Sequence, residues 1–332
     1  MGSSPHSPPE ISSEFLAFFR AHTDARGEMP FAQFMALALY HSEVGYYRKN
    51  RGRVGYATGT DFFTSSTSGA VFGELVAAAC TQLLRAAGRD PAAHTFIEIG
   101  AEPGDEGVLT GVSHPFAGGR TLRVGDPISG LTGDCVVFSN ELFDAQPFTS
   151  IVCRSGRWHP IGVRLSGERL VEFEFPEPLA DAPPPAAEGY RFDQPRAAAS
   201  LAAAIAGQPW LGLFVAIDYG KTLRDLTEET PAGTARAYHR HNQTNDLLAQ
   251  PGEQDLTCHI CWDWLIEALT RHGFTNAKLE FQETFFIRHA GEFVATASAA
   301  DARGFSPRKM SLLQLLHPSQ LGQKFQVLHA LR

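Results

Sequence analysis

The sequence predicts an open α/β sheet with a helical N-terminal region and inserted segments. Three observations point there. Four short apolar runs, Thr95–Ile99, Thr121–Val124, Cys135–Phe138 and Leu213–Ile217, each end in a polar or glycine-containing turn. Stretches of helical spacing precede them and lie between them. The 332 residues are 43% hydrophobic and 19% charged, enough apolar material for one large domain or two. One such turn would be an ordinary strand end, but four favour a sheet whose ligands bind at the carboxyl ends of its strands.

Composition narrows the function classes. The formal net charge is −8, from 28 basic and 36 acidic residues, which argues against a dedicated nucleic-acid binder. No apolar run reaches the roughly 20 residues that span a bilayer, so a soluble chain without membrane attachment is expected. The N-terminus lacks the apolar core of a signal peptide. Five cysteines are an odd, sparse set without a disulfide framework, and they suit a reducing cytoplasm.

The elements follow in order. Residues 1–9 form a tail. Residues 10–90 are mostly helical: Phe15, Phe18 and Phe19, then Phe31, Phe34 and Met35, recur at helical spacing. A Gly/Tyr/Arg stretch from Gly45 to Gly59 interrupts them, and Val71–Ala87 makes an Ala/Leu-rich helix ended by Gly88. Residues 91–332 hold the sheet, with insertions around 151–195 and 221–256. The first insertion alternates like a hairpin over 151–175 and continues into a proline-rich loop, Asp181–Gly189. Ala197–Ala206 is a helix, and 221–256 is a polar surface excursion. Trp262–His272 is a helix closed by Gly273. Ala277–Phe281, Phe285–Ile287 and Phe293–Thr296 are expected as strands. Met310–Leu316 and Leu321–Leu331 are expected as terminal helices.

Several constellations carry possible chemistry. Phe96–Gly104 has the form of a strand, an acid and a glycine turn, which lets backbone approach a nucleotide-like ligand. A plain strand-to-helix turn accounts for it equally well. Ser139–Pro147 places Asn140, Glu141 and Asp144 in one short turn after a strand. Clustered carboxylates there can orient a cationic nucleophile, or Asn140 can simply cap a helix. Cys258-His259-Ile260-Cys261 has one Cys pair at the start of an apolar helix, and structural zinc needs four ligands, so no metal is expected. The 13 histidines are scattered mostly on polar stretches and are expected to be solvated.

Together these segments resemble the MidA-like family of S-adenosylmethionine-dependent methyltransferases, which includes complex I assembly-factor relatives. The residues carrying the resemblance are Phe31–Met35 with Leu39–Tyr47, Asp61–Ser65 with Phe72–Glu74, and Glu98–Gly100. Asn140–Pro147, Ile217–Gly220, Arg236–His241, Pro251-Gly252, Asp255–His259 and Leu321–Phe325 complete them. The resemblance implies a Rossmann-like methyltransferase core with a helical N-terminal addition and an inserted subdomain. It implies S-adenosylmethionine as cofactor, with Asp61, Glu98, Gly100, Gly104, Asp126 and Asn140 on the cofactor side. Glu141, Asp144, Asp255 and His259 are then the catalytic candidates. The implied reaction is methylation of a protein side chain such as arginine. The oligomeric state stays open, a homodimer among the options.

Departures from the family pattern keep two alternatives open. The glycine loop Gly100–Gly104 is thinner than usual, and only about 35 residues separate Gly104 from Asn140. Glycines at 107, 111, 118 and 119 make that stretch a poor helix. A catalytically inactive relative that binds proteins, or one that uses the pocket for another ligand, fits the same sequence.

Overall fold

The computed structural model describes residues 11–49, 53, 69–180, 182–300 and 306–332. The expected tail, Asp61 and the rest of the Asp61–Ser65 segment lie outside them. The four apolar runs form parallel strands: β1 (Thr95–Ala101), β2 (Gly118–Arg123), β3 (Gly133–Asn140) and β4 (Trp210–Asp218). Two antiparallel strands, β5 (Thr275–Phe281) and β6 (Gln326–Leu331), extend them into a six-stranded sheet of order β5-β6-β4-β3-β1-β2. The chain leaves β1 toward β2 on one side and returns to β3 on the other. The crevice between the carboxyl ends of β1 and β3 is therefore the topological switch point, where such sheets bind ligands.

The connection from β1 to β2 holds no α-helix. Its glycines disfavour one, and the loop instead packs Val112 and Phe116 into the core beside helix α3 (Ala70–Ala86). Gly73 of α3 permits that approach: a Cβ there would stand 2.0 Å from the Val108 carbonyl oxygen.

The sheet is covered on both faces, so its central strands are nearly continuous apolar runs. Phe138, Leu213, Val215 and Val327 meet α3 on one side. Val137, Phe214 and Leu328 meet α4 (Arg196–Ala206) and α6 (Trp262–Arg271) on the other. Ahead of the sheet, α1 (Ser13–His22) starts at Ser12, whose hydroxyl accepts the Phe15 N–H at 3.1 Å. Phe15 and Phe19 bury against Phe34 and Met35 of α2 (Phe31–Tyr40). The first insertion builds a second, five-stranded sheet around Thr149–Arg154 and Arg157–Ser166.

Four expectations are corrected. Phe285–Ile287 and Phe293–Thr296 are helical, within α7 (Gln282–His289) and α8 (Gly291–Ala300). The adjacent Phe285 and Phe286 are both buried in the one core cluster that includes α3, which an alternating strand cannot arrange. Leu321–Leu331 is not one helix but a kinked turn followed by β6, which pairs with β4 and β5. Buried on both faces, β6 loses its alternation and reads like an apolar helix. Finally, 221–256 is no plain excursion: it forms the short helix α5 (Leu223–Glu228) and a three-stranded sheet with Ala237 and Leu256 buried. Met310–Leu316 falls in α9 (Pro307–Leu316), as expected.

Candidate functional site

Three strand ends converge on a cleft of about 750 Å³. At the end of β1, Glu98 is buried and its Oε2 accepts the Val108 N–H at 2.7 Å. Burial pushes its carboxyl up to about 7, against the opposing pull of that hydrogen bond. Gly100 follows with φ +90°, and a Cβ there would stand 2.7 Å from Cδ1 of Leu142. Only glycine meets both demands without strain.

At the end of β3, Glu141 takes left-handed backbone, φ +51°, uncommon for a residue with a side chain. Its N–H donates to the Ile217 carbonyl at 2.9 Å, and Asn140 Nδ2 donates to its Oε1 at 3.0 Å. The turn is held from beneath by Asp218 at the end of β4. That fully buried carboxylate accepts the Phe143 N–H at 2.9 Å and the Tyr219 N–H at 2.8 Å. Burial pushes Asp218 up to about 7.

Asp144 is buried in the same turn, and its carbonyl accepts the Cys258 N–H at 3.0 Å. That bond ties the turn to the strand Asp255–Thr257. Asp255 accepts the Tyr47 hydroxyl at 2.9 Å. Burial raises the carboxyls of Glu141 and Asp144 well above the usual range, and Asp218 raises both further by charge repulsion. The imidazole of His259 is pushed down to about 4 by burial, with Lys221 and Arg236 adding to the effect, so it is neutral at pH 7.

The structure brings Glu98, Gly100, Asn140, Glu141, Asp144, Asp255 and His259 to this one cleft. Gly104 and Asp126 do not line it. Gly104 sits at φ +88° with open space beside it. Asp126 is exposed and turns its Oδ2 back to the Arg123 N–H at 2.8 Å, within its own turn. Glu102 and Asp105 face the cleft instead. Glu102 pairs at 3.0 Å with the buried guanidinium of Arg53, so its charge beside the glycine turn is balanced.

Sequence reasoning missed several walls. Arg236, Tyr238 and Gln243 enter from the three-stranded sheet, and Gln314, Leu321 and Lys324 from the C-terminal segment. Asp218 was the most findable, as an acid closing an apolar strand. Tyr47 carried no signal beyond its Gly-Tyr-Tyr setting. Cys258 and Cys261 are buried free thiols, Cys261 pushed up to about 12 by burial.

Residues 125–279, a little under half of the chain, match the family model described as a putative S-adenosyl-L-methionine-dependent methyltransferase. The chain is 24% identical over 383 residues to the mitochondrial protein arginine methyltransferase NDUFAF7 of Danio rerio, covering 96% of this chain and 87% of that one. It superposes with a TM-score of 0.83 on a COG1565 superfamily member from Burkholderia thailandensis bound to S-adenosyl-homocysteine, at 23% identity. That match covers 98% of this chain and 95% of the other. A native crystal structure of a COG1565 superfamily protein from the same organism gives a TM-score of 0.80 at 22% identity, with the same coverage. The fold shared with these two structures thus runs through nearly the whole chain, N-terminal helices and inserted sheet included.

The cleft fits the cofactor of such a methyltransferase. Its volume lies within the roughly 300–1,000 Å³ of small-molecule sites. The glycine at 100 lets a ligand approach backbone. Asn140 Oδ1 and Asp144 Oδ1 are buried without a partner among the described residues, so ligand donors have acceptors to meet.

Proposed function

We propose that this methyltransferase acts on a guanidinium, the side chain of a protein arginine, with Glu141 and Asp144 as the residues that hold it. One observation carries this reading. Both carboxylates line the cleft, Asp144 buried and Glu141 half-buried beside it, and neither makes an ion pair among the described residues. A desolvated carboxylate pair without a cation is costly unless a cation arrives or the pair keeps protons. A guanidinium stays charged, with a pKa above about 12, and its planar fork matches two carboxylates.

Bound S-adenosylmethionine would supply an electrophilic methyl group. Asn140, Gly100 and Glu98 are the residues proposed to hold it, with Asp105 replacing Asp126 as an acid for ligand hydroxyls. Glu141 and Asp144 then turn one guanidinium nitrogen toward the methyl and restrain its rotation. As that nitrogen gives up a proton, a carboxylate with a raised pKa is a competent acceptor. His259, neutral and with Nδ1 unpartnered, is a second acceptor within the same cleft. Tyr47 steadies Asp255 from the side.

The zebrafish relative's protein-arginine activity supports a protein substrate here too. No described helix is long and apolar enough to cross a membrane. Free buried cysteines suit a reducing compartment, and the cytoplasm is the assignment proposed.

The test pairs calorimetry with S-adenosylhomocysteine and transfer of a labelled methyl group to arginine-containing proteins. Binding together with methylarginine in the product supports the reading. Binding with methyl transferred only to lysine or to hydroxyl groups refutes the guanidinium. No binding at all favours a relative that kept the fold without the reaction.

A further inference from the structure

Glu280 of β5, His289 of α7 and His329 of β6 meet beneath α7, and none of them lines the cleft. We propose that these three residues bind a divalent transition-metal ion of the zinc class. Their ligand atoms all lie within 4.8 Å of one another. Glu280 Oε2 is 3.0 Å from Nε2 of His289 and 3.0 Å from Nε2 of His329. In tetrahedral zinc sites with bonds of about 2.0–2.1 Å, neighbouring ligand atoms stand about 3.3 Å apart. The three side chains are already within a few tenths of an ångström of that spacing on two of their edges.

The surroundings fit an ion better than three polar groups left to themselves. The side chains are only 7%, 12% and 6% exposed, so water does little for them. Without a metal, one carboxylate oxygen serves two imidazoles, and both rings must carry a proton on Nε2. An ion would instead take both Nε2 lone pairs, leaving each ring its proton on Nδ1. Arg288 bonds the other oxygen, Oε1, which leaves Oε2 to the histidines. Such outer contacts orient metal-ligating carboxylates. The ring of Phe285 lies 5.2 Å from His289 and 5.5 Å from His329, and limits their rotation.

Two imidazoles and a carboxylate are a donor set suited to zinc, copper or nickel. Three protein ligands leave a fourth position for water. The three ligands come from separate elements, so the ion would clip α7 to the β5–β6 edge. α7 in turn packs on α3, whose Phe72 reaches the cleft. The role inferred is therefore structural support of the sheet edge.

The full chain, stripped with a chelator and desalted, is titrated with zinc chloride by calorimetry. One equivalent is expected, weakened at least about a hundred-fold in Glu280→Gln, His289→Gln and His329→Gln. His289 sits at the rim, so His289→Gln decides the matter if a buried variant fails to fold. Its unfolding midpoint without zinc should match the parent. Zinc should raise the parent's midpoint and leave that of His289→Gln unchanged. No zinc bound by the folded parent overturns the proposal. Binding that survives His289→Gln but is lost in Cys258→Ser with Cys261→Ser also overturns it, moving the ion to the cysteine pair.

Discussion

Replacing Glu98 by glutamine should make the protein less sensitive to pH. The Glu98 carboxyl rises from 4.5 to about 7 in the folded chain, chiefly because burial disfavours its charge. A change of that size corresponds to about 3 kcal/mol. In the unfolded chain Glu98 loses its proton near pH 4.5, whereas in the folded chain it holds the proton until about pH 7. Between those values the folded state binds more protons, so stability falls as pH rises. The contribution is whole below the lower value and lost once pH passes the upper one. Glutamine does not titrate, and its amide oxygen can keep the Val108 N–H that Glu98 accepts at 2.7 Å. Asp218 is raised to about 7 as well, but it titrates in both proteins and cancels from the difference. Urea unfolding, followed by tryptophan fluorescence, should be run on both from pH 4 to pH 8. The unfolding free energy of Glu98→Gln relative to the parent should improve by about 2–3 kcal/mol across that range. A difference that stays level with pH would refute the buried, protonated Glu98.

Three further outcomes are expected. Glu141→Gln and Asp144→Asn should each slow methyl transfer by about a hundred-fold or more, with S-adenosylhomocysteine binding changed only a few-fold. Equal losses in rate and binding would assign those carboxylates to the cofactor. Gly100→Ala, which needs φ +90° and puts a Cβ 2.7 Å from Leu142, should lower stability by about 1–3 kcal/mol in urea unfolding. An unchanged midpoint would mean the turn is looser than described. An arginine-containing acceptor should release protons on binding, because its cation favours the ionised forms of Glu141 and Asp144, whose carboxyls burial raises well above the usual range. Calorimetry in buffers of different ionisation heat detects that release, and identical heats in all buffers would count against the guanidinium reading.

The sequence by itself determined the parallel part of the sheet and the polar turns at its strand ends. Those features are local: apolar runs such as Thr95–Ile99 and Leu213–Ile217, each stopped by an acid or glycine, read the same in any context. The family motifs worked likewise, because Asn140–Pro147 and Asp255–His259 are contiguous. Tertiary structure decided everything that depends on which face of an element meets which neighbour. The stretch from Leu321 to Leu331 reads as a helix until β4 and β5 are known to flank its second half, since burial on both faces erases the two-residue alternation. Asp126 follows its strand where a cofactor-side acid is expected, yet its carboxylate bonds its own turn, and only the fold shows that Asp105 lines the cleft. Arg236, Tyr238 and Lys324 lie some 90 to 180 residues from Asn140, and no spacing rule joins them. His289 and His329 pass for solvated histidines in the sequence. They meet Glu280 only because an antiparallel strand pair and a covering helix carry them to one point.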